Sequence, residues 1–564
     1  MAVWVPRQWH WWSVGVLLAA GLALAAVALW RPSPRRIVMH DVTAGTGITF
    51  RHTDGGCGQR YIMETVSAGL ALFDYDGDGL IDIYFLNGAA LRGCTSETKP
   101  RNALYRNLGA WRFVDVTAEA GVGDAGYSLG VAVADYDNDG DPDLFVNNYG
   151  PDVLYRNNGD GTFTDVAAAA GVLGGPLVAA GACFLDIDRD GNLDLYAGEY
   201  LEFSYAAHTS TTHRGVPAYV SPKHYPPVAS RLHRNNGDGT FADVSEAAGI
   251  SQHASWAMGM VCADYDDDGD TDIFVANDVA ENFLFQNDGS GHFEEVALLA
   301  GVACDGFGSP QGSMGVECGD YDNDGRLDFY QTSYQLQHAV LYRNLGGGQF
   351  EDVSFATGAG AGTYAQVTWG AGLIDFDNDG DRDLYVACGH LQDRVEEYDA
   401  STSYRAQNVL LENLGDGHFQ DISNQAGDGM RVRQSSRGAA FDDLDGDGLV
   451  DVVVLNSRTS PTVLRNAASG TKHWIEINLR GVRSNRDGVG ARVKVTAGGR
   501  TQTAEVHSGR SYQSHFGTRL HFGLGRCDKA ERIEVHWPSG TVDVVENPAS
   551  GQRLAILEHQ HVVN

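Results

Sequence analysis

A chain of 564 residues has room for several domains or one large repeat array, and a hydrophobic content of 43% excludes a disordered polypeptide. The formal net charge is -34, from 74 acidic against 40 basic residues. A field of that sign excludes nucleic acid and anionic membrane surfaces as partners.

Residues 1–36 open with an almost unbroken apolar run from Trp11 to Trp30, WWSVGVLLAAGLALAAVALW. It is long enough to span a bilayer as a helix and has tryptophan at both ends. The run is an export signal or an anchor. Ala26-Val27-Ala28 offers a cleavage site, but the length and the aromatic girdle favour a retained helix. The expectation is a membrane-anchored protein with its remainder outside the cytoplasm, or a secreted one if the segment is cleaved. Arg31, Arg35 and Arg36 outnumber Arg7, so the positive-inside rule alone argues for the opposite orientation.

From residue 37 to 470 one pattern recurs seven times, D-x-D-x-D-G-x-x-D. The copies carry Asp74, Asp76, Asp78 and Asp82; Asp135, Asp137, Asp139 and Asp143; Asp186, Asp188, Asp190 and Asp194; and Asp264, Asp266, Asp268 and Asp272. They continue with Asp320, Asp322, Asp324 and Asp328; Asp375, Asp377, Asp379 and Asp383; and Asp443, Asp445, Asp447 and Asp451. These 28 carboxylates are a large share of the 74 acidic residues, so much of the acidity is local.

Oxygen ligands at positions 1, 3 and 5, with glycine at 6 for the sharp turn, are what Ca²⁺ requires of a short loop. An EF-hand would place Glu at position 12 between helices. Here position 12 is apolar, as at Phe85 and Val146, and flanks such as GVAVA and DLFVN read as strands. The loop is therefore expected to be a hairpin turn holding Ca²⁺, with position 9 closing the cage and up to about seven ions in the chain. A metal-free Asp/Gly turn would leave four like charges repelling one another at short range in every copy. Loops this weak would fill outside the cell rather than at cytosolic calcium, which outweighs the arginines beyond the apolar run.

Each acidic loop is followed by a strand and a second hairpin, as in LYRNNGDGTFTDV from Leu154 and LLENLGDGHFQDI from Leu410. Asn-Gly and Asp-Gly between apolar residues are hairpin signals. Units of four short strands, seven in number, predict an all-β fold with a seven-bladed β-propeller. The seventh unit lacks its last strand, and His40-Asp41-Val42 near the N-terminus resembles it, so the ring should close there. Glycines five residues before each loop (Gly69, Gly130, Gly181, Gly259, Gly315, Gly370 and Gly438) fit innermost strands converging at the axis.

Insertions at residues 87–102, about 198–231 and 388–408 fall on the face opposite the acidic loops, where binding is expected. His208, His213 and His224 in the second match no tight metal spacing. Trp256, Met258, Trp369 and Arg437 are placed near the channel mouth. Cys57 and Cys94, and Cys304 and Cys318, are compatible with disulfides without requiring them. Residues 471–564 have fewer aspartates, and strands such as HWIEINL and RIEVHW read as a small β-sandwich. Its His507, His515, His521 and His536 are expected to be strand residues without a catalytic partner.

The acidic loops between strands resemble the FG-GAP and VCBS repeats of integrin α-chain propellers. NRDGVGARV from Asn485, HFGLG from His521 and VHWPSG from Val535 resemble the ASPIC/UnbV domain. Propeller followed by this domain is similar to the cartilage acidic protein 1 family, without an EGF-like module at the C-terminus. The resemblance implies an extracellular calcium-binding protein of adhesion or matrix type, with loop positions 1, 3, 5 and 9 as ligands. The expected function is a non-catalytic scaffold that binds protein or glycan through the insertion face. The alternative is a hydrolase or cyclase with its active site at the channel mouth. No G-x-S-x-G elbow, H-E-x-x-H or phosphate loop supports it.

Overall fold

A computed structural model describes residue 1 and residues 37–95, 99–470 and 473–559. The apolar run Trp11 to Trp30 lies outside these residues. No helix among them is long and apolar enough to cross a membrane.

The first blade shows how each repeat folds. Leu70–Phe73, Asp82–Phe85, Ala103–Asn107 and Phe113–Asp115 form a four-stranded antiparallel sheet in sequence order. The acidic loop joins its first two strands. Six further sheets among the described residues repeat the plan, with innermost strands Tyr127–Ala134, Val178–Leu185, Ala257–Ala263, Val316–Gly319, Thr368–Ile374 and Ser436–Asp442. Each innermost strand packs beside the next, and the last meets the first, so the sheets form a ring. The outer strand of the seventh sheet is Met39–Asp41, paired antiparallel with Thr462–Asn466. Between blades the core is aromatic and aliphatic, as where Phe274 stacks on Phe329 at 4.7 Å.

The asparagine that ends each third strand ties one blade to the previous one. Asn344 is buried; its backbone N–H donates to Asp328 Oδ1, and its Nδ2 donates to Leu327 O in its own blade and to Tyr265 O in the blade before. Asn107, Asn157, Asn235, Asn287, Asn413 and Asn466 repeat all three bonds, Asn107 reaching back to Leu444 across the closure. Asn344→Leu strands two buried carbonyls and should cost about 2–4 kcal/mol in urea unfolding. A loss under about 0.5 kcal/mol would show that the ring of asparagines holds nothing.

The C-terminal region is a two-sheet sandwich. One sheet has His473–Arg480 between Arg519–Gly525, antiparallel to it, and Gln552–Leu557, parallel to it. The other runs Arg500–Glu505, Arg492–Ala497, Arg532–His536, Val542–Glu546. Alternating Ile475, Ile477, Val493, Val495, Ile533 and Val535 supply its core.

This sandwich is not a separate bead. Between its strands, residues 507–516 (HSGRSYQSHF) leave it and enter the propeller axis. Ser511 exchanges backbone hydrogen bonds with Val316, His515 with Leu70 and Leu72, and Gln513 O accepts from Val131. Tyr512 is fully buried at the tip, edge-on to Trp369 at 4.9 Å, with its hydroxyl donating to Val66 O. This plug corrects one reading from the sequence and extends another. His507 and His515 are buried loop residues of the plug, not strand residues. The innermost glycines are needed partly because of it. A Cβ at Gly69 would overlap Gln513 O, and at Gly259 it would meet Met314 O of the next blade at 2.4 Å as well as Ser511 O of the plug at 3.0 Å. Gly130 and Gly370 instead face the neighbouring innermost strand.

Candidate metal loops and the cavity on the opposite face

The seven acidic loops share one hydrogen-bond plan. The position-1 carboxylate accepts from the backbone N–H groups of positions 5 and 6 in every copy, as Asp74 does from Asp78 and Gly79. Position 5 accepts from the N–H of position 7. Position 9 accepts from position 2 and from the ring asparagine. Both position 4 and the glycine at position 6 have positive φ, +60° at Asn138 and +106° at Gly140. That requirement explains why position 4 is mostly Gly, Asn or Asp.

Position 3 is different, because local backbone reaches it only in the fifth and seventh loops, where Asp322 and Asp445 accept from the N–H of position 5. Asp76, Asp188 and Asp322 turn one oxygen outward to an arginine of the third strand, Arg106 at 2.8 Å, Arg234 at 2.6 Å and Arg343 at 2.8 Å. Asp266 turns one to Gln286 at 2.7 Å. The other oxygen of Asp76, Asp137, Asp188 and Asp266 is buried and has no hydrogen-bond partner. Oxygens of positions 1, 3 and 9 converge within 4.8 Å in the second to fifth loops, and those of 1, 3 and 5 in the first. A cation is what such a set can hold. Without one, burial and the neighbouring carboxylates push Asp82 up to about 8 and Asp143 to about 9, against the pull of their backbone donors. The arginines on positions 3 and 5 escaped the sequence reading, although the R of LYRN was their signal.

The sandwich sits on this acidic rim. Asp487 accepts from Asp135 N at 2.7 Å, Arg486 N donates to Asn138 Oδ1 at 2.9 Å, and Arg500 meets Asp381 at 2.8 Å. Arg492 lies against Asp264 and Asp267, Arg519 against Asp442, and His521 Nε2 is 2.6 Å from Asn378 Oδ1. The opposite face is where the insertions meet. A Cys57–Cys94 disulfide ties the first, whereas Cys304 and Cys318 are not bonded. Tyr219 of the second insertion donates to Glu64 Oε2 at 2.9 Å and exchanges hydrogen bonds with Gln392 of the third. Arg458 joins them, against Asp54 and 3.1 Å from Asp393. The three insertion histidines are apart in role: His208 bonds Gln59 O, His213 packs on Tyr398 and His224 bonds Ser221 O.

Inside this rim the channel mouth is a cavity of about 500 Å³, floored by Met258, Met314 and Trp369. Arg437 lies beneath, its guanidinium 4.0 Å from the Trp369 ring, bonded to backbone carbonyls and Ser435, and burial lowers it to about 10. Trp256 is half-buried beside the mouth, donating to Tyr225 O. Tyr200 and Asp278 in the wall were not singled out from the sequence, where they look like ordinary strand residues.

Seven four-stranded blades, each with a D-x-D-x-D-G-x-x-D hairpin, define a repeat β-propeller of the acidic-loop class. The chain belongs to the FG-GAP-like repeat family, whose model matches residues 74–146, 135–197, 225–275, 264–331 and 375–454. The ASPIC and UnbV model matches residues 481–563. The chain is similar to cartilage acidic protein 1 of Mus musculus, 28% identical over 59% of this chain and 49% of that protein. The Homo sapiens protein is 27% identical over 59% and 48%. The resemblance read from the motifs is thus shown, and the chain spans about half the length of the curated relatives it matches. An Agrocybe aegerita lectin recognising non-reducing terminal N-acetylglucosamine aligns at TM-score 0.36 and 18% identity, over 64% of this chain and 82% of that one. A likeness that slight carries no functional argument.

Proposed function

We propose that the protein is an exported, calcium-loaded scaffold that binds a protein or glycan partner through its insertion face and performs no catalysis. The observation that carries the calcium part is the buried, partnerless oxygen of Asp76, Asp137, Asp188 and Asp266, aimed at the other loop carboxylates. A divalent ion coordinated by positions 1, 3, 5 and 9 satisfies it and neutralises the cluster. The choice of face rests on the sandwich, which covers the acidic rim and leaves the insertions as the broad surface open to a partner. Residues 1–36 would direct the chain out of the cytoplasm.

Counting metal on the full chain by mass spectrometry tests the first part; about seven calcium ions are expected, and none would refute it. At single loops, Asp137→Ala should lower the melting temperature in calcium and change it little in EGTA. Equal losses in both would remove the metal role of that loop. A catalytic reading draws on one observation, a carboxylate, Asp278, in the axial cavity away from the acidic loops. It ranks second because no histidine or cysteine is among the described residues lining that cavity.

A further inference from the structure

We propose that the axial cavity is a binding site for a protonated amine carrying an apolar body, with Asp278 as its counter-charge. The inference stands apart from the reading above, since it requires neither a macromolecular partner nor metal in the loops. At about 500 Å³ the cavity is of the size that encloses a small organic molecule. Its walls are mainly aliphatic and aromatic, including Ile62, Val220, Leu391, Tyr200, Tyr334 and Trp369.

Asp278 is the one carboxylate among the described residues that line the cavity. Asp278 is 7% exposed; its Oδ2 accepts from the Tyr200 hydroxyl at 2.9 Å, and its Oδ1 has no hydrogen-bond partner among the described residues. Oδ1 lies beside Gly312, 3.3 Å from where a Cβ would stand, and the Gly312 N–H is taken by Gln337 Oε1 at 2.8 Å, which leaves Oδ1 as the open acceptor. Burial raises Asp278 to about 7, against the Tyr200 hydrogen bond and the charge of Lys223. Lys223 also lines the cavity, and its charge acts on Asp278 more weakly than burial does.

Two more features agree. Val279, the next residue, has φ +56°, a conformation that opposes a β-branched side chain and is tolerated where a neighbour must be held in a special position. The rings of Tyr200 and Tyr334 stand in the same wall as Asp278, and aromatic faces attract ammonium groups.

The test is calorimetric titration of the full chain in calcium with tryptamine and with its uncharged isostere 3-propylindole. Tryptamine should bind at least about tenfold more tightly than 3-propylindole, and Asp278→Asn should remove that advantage while leaving 3-propylindole unchanged. Tyr334→Leu should weaken tryptamine and serves as the second variant if Asp278→Asn does not fold. The proposal is overturned if tryptamine does not bind, if 3-propylindole binds equally well to the unmodified protein, or if a folded Asp278→Asn or Tyr334→Leu protein keeps full affinity for tryptamine.

Discussion

Transfer of the protein from millimolar calcium to EGTA should remove about 3–10 kcal/mol of stability and lower its melting temperature by roughly 3–10 °C. The size follows from summing seven weak sites, each contributing RT ln(1 + [Ca²⁺]/Kd) at a Kd of the extracellular kind. The pH dependence of the metal-free protein gives an independent check. Burial, the largest cause, holds Asp82 near 8 and Asp143 near 9 when folded, far above their values in the unfolded chain. Between those limits the folded state binds the extra protons, so metal-free stability should fall as pH rises from about 4 to 8. Calcium, which requires the same groups ionised, should flatten or reverse that slope. Thermal melts at several pH values, with and without EGTA, read both effects. Identical melting curves in calcium and EGTA would mean that the loops are not metal sites.

The second large effect is expected at the plug. Glu317 is fully buried on an innermost strand, and Arg510 of the plug holds it through Nε at 2.8 Å and through Nη2, which also donates to Cys318 O. The guanidinium lies 4.8 Å from the Phe516 ring, so neither partner is solvated in its place. Arg510→Met leaves a buried carboxylate without its hydrogen-bonded counter-charge, with only the more distant field of Arg382 in its place, and should cost about 3–5 kcal/mol. Adding Glu317→Gln should recover much of that loss, because the uncompensated charge is what costs most. Equal stability of Arg510→Met and the unmodified protein would show that the sandwich does not depend on its insertion into the axis.

Much of the molecule could be read from contiguous residues. Each acidic loop is written in nine consecutive positions, including the left-handed turn at position 4 and the glycine at 6, so its hairpin was legible. The four-strand repeat, the strand from Met39 that completes the last sheet and the face carrying the insertions followed from the same period. The asparagine of LYRN was visible as a repeat, but its bond to the preceding blade exists only once neighbouring blades are side by side. The plug was not legible, because SGRSYQS carries no strong periodicity and finds its backbone partners in five blades far away in the chain.

Asp278 and Tyr200 were hidden for a related reason. Each sits in an ordinary strand sequence, and only the ring brings the two within hydrogen-bond distance at the head of one cavity. By itself the sequence determined what short-range sterics and hydrogen bonding encode: the loops, the hairpins and the period that makes them a propeller. The tertiary structure alone decided which distant groups share a buried volume, because desolvation acts on the packed whole and leaves no local pattern in the chain.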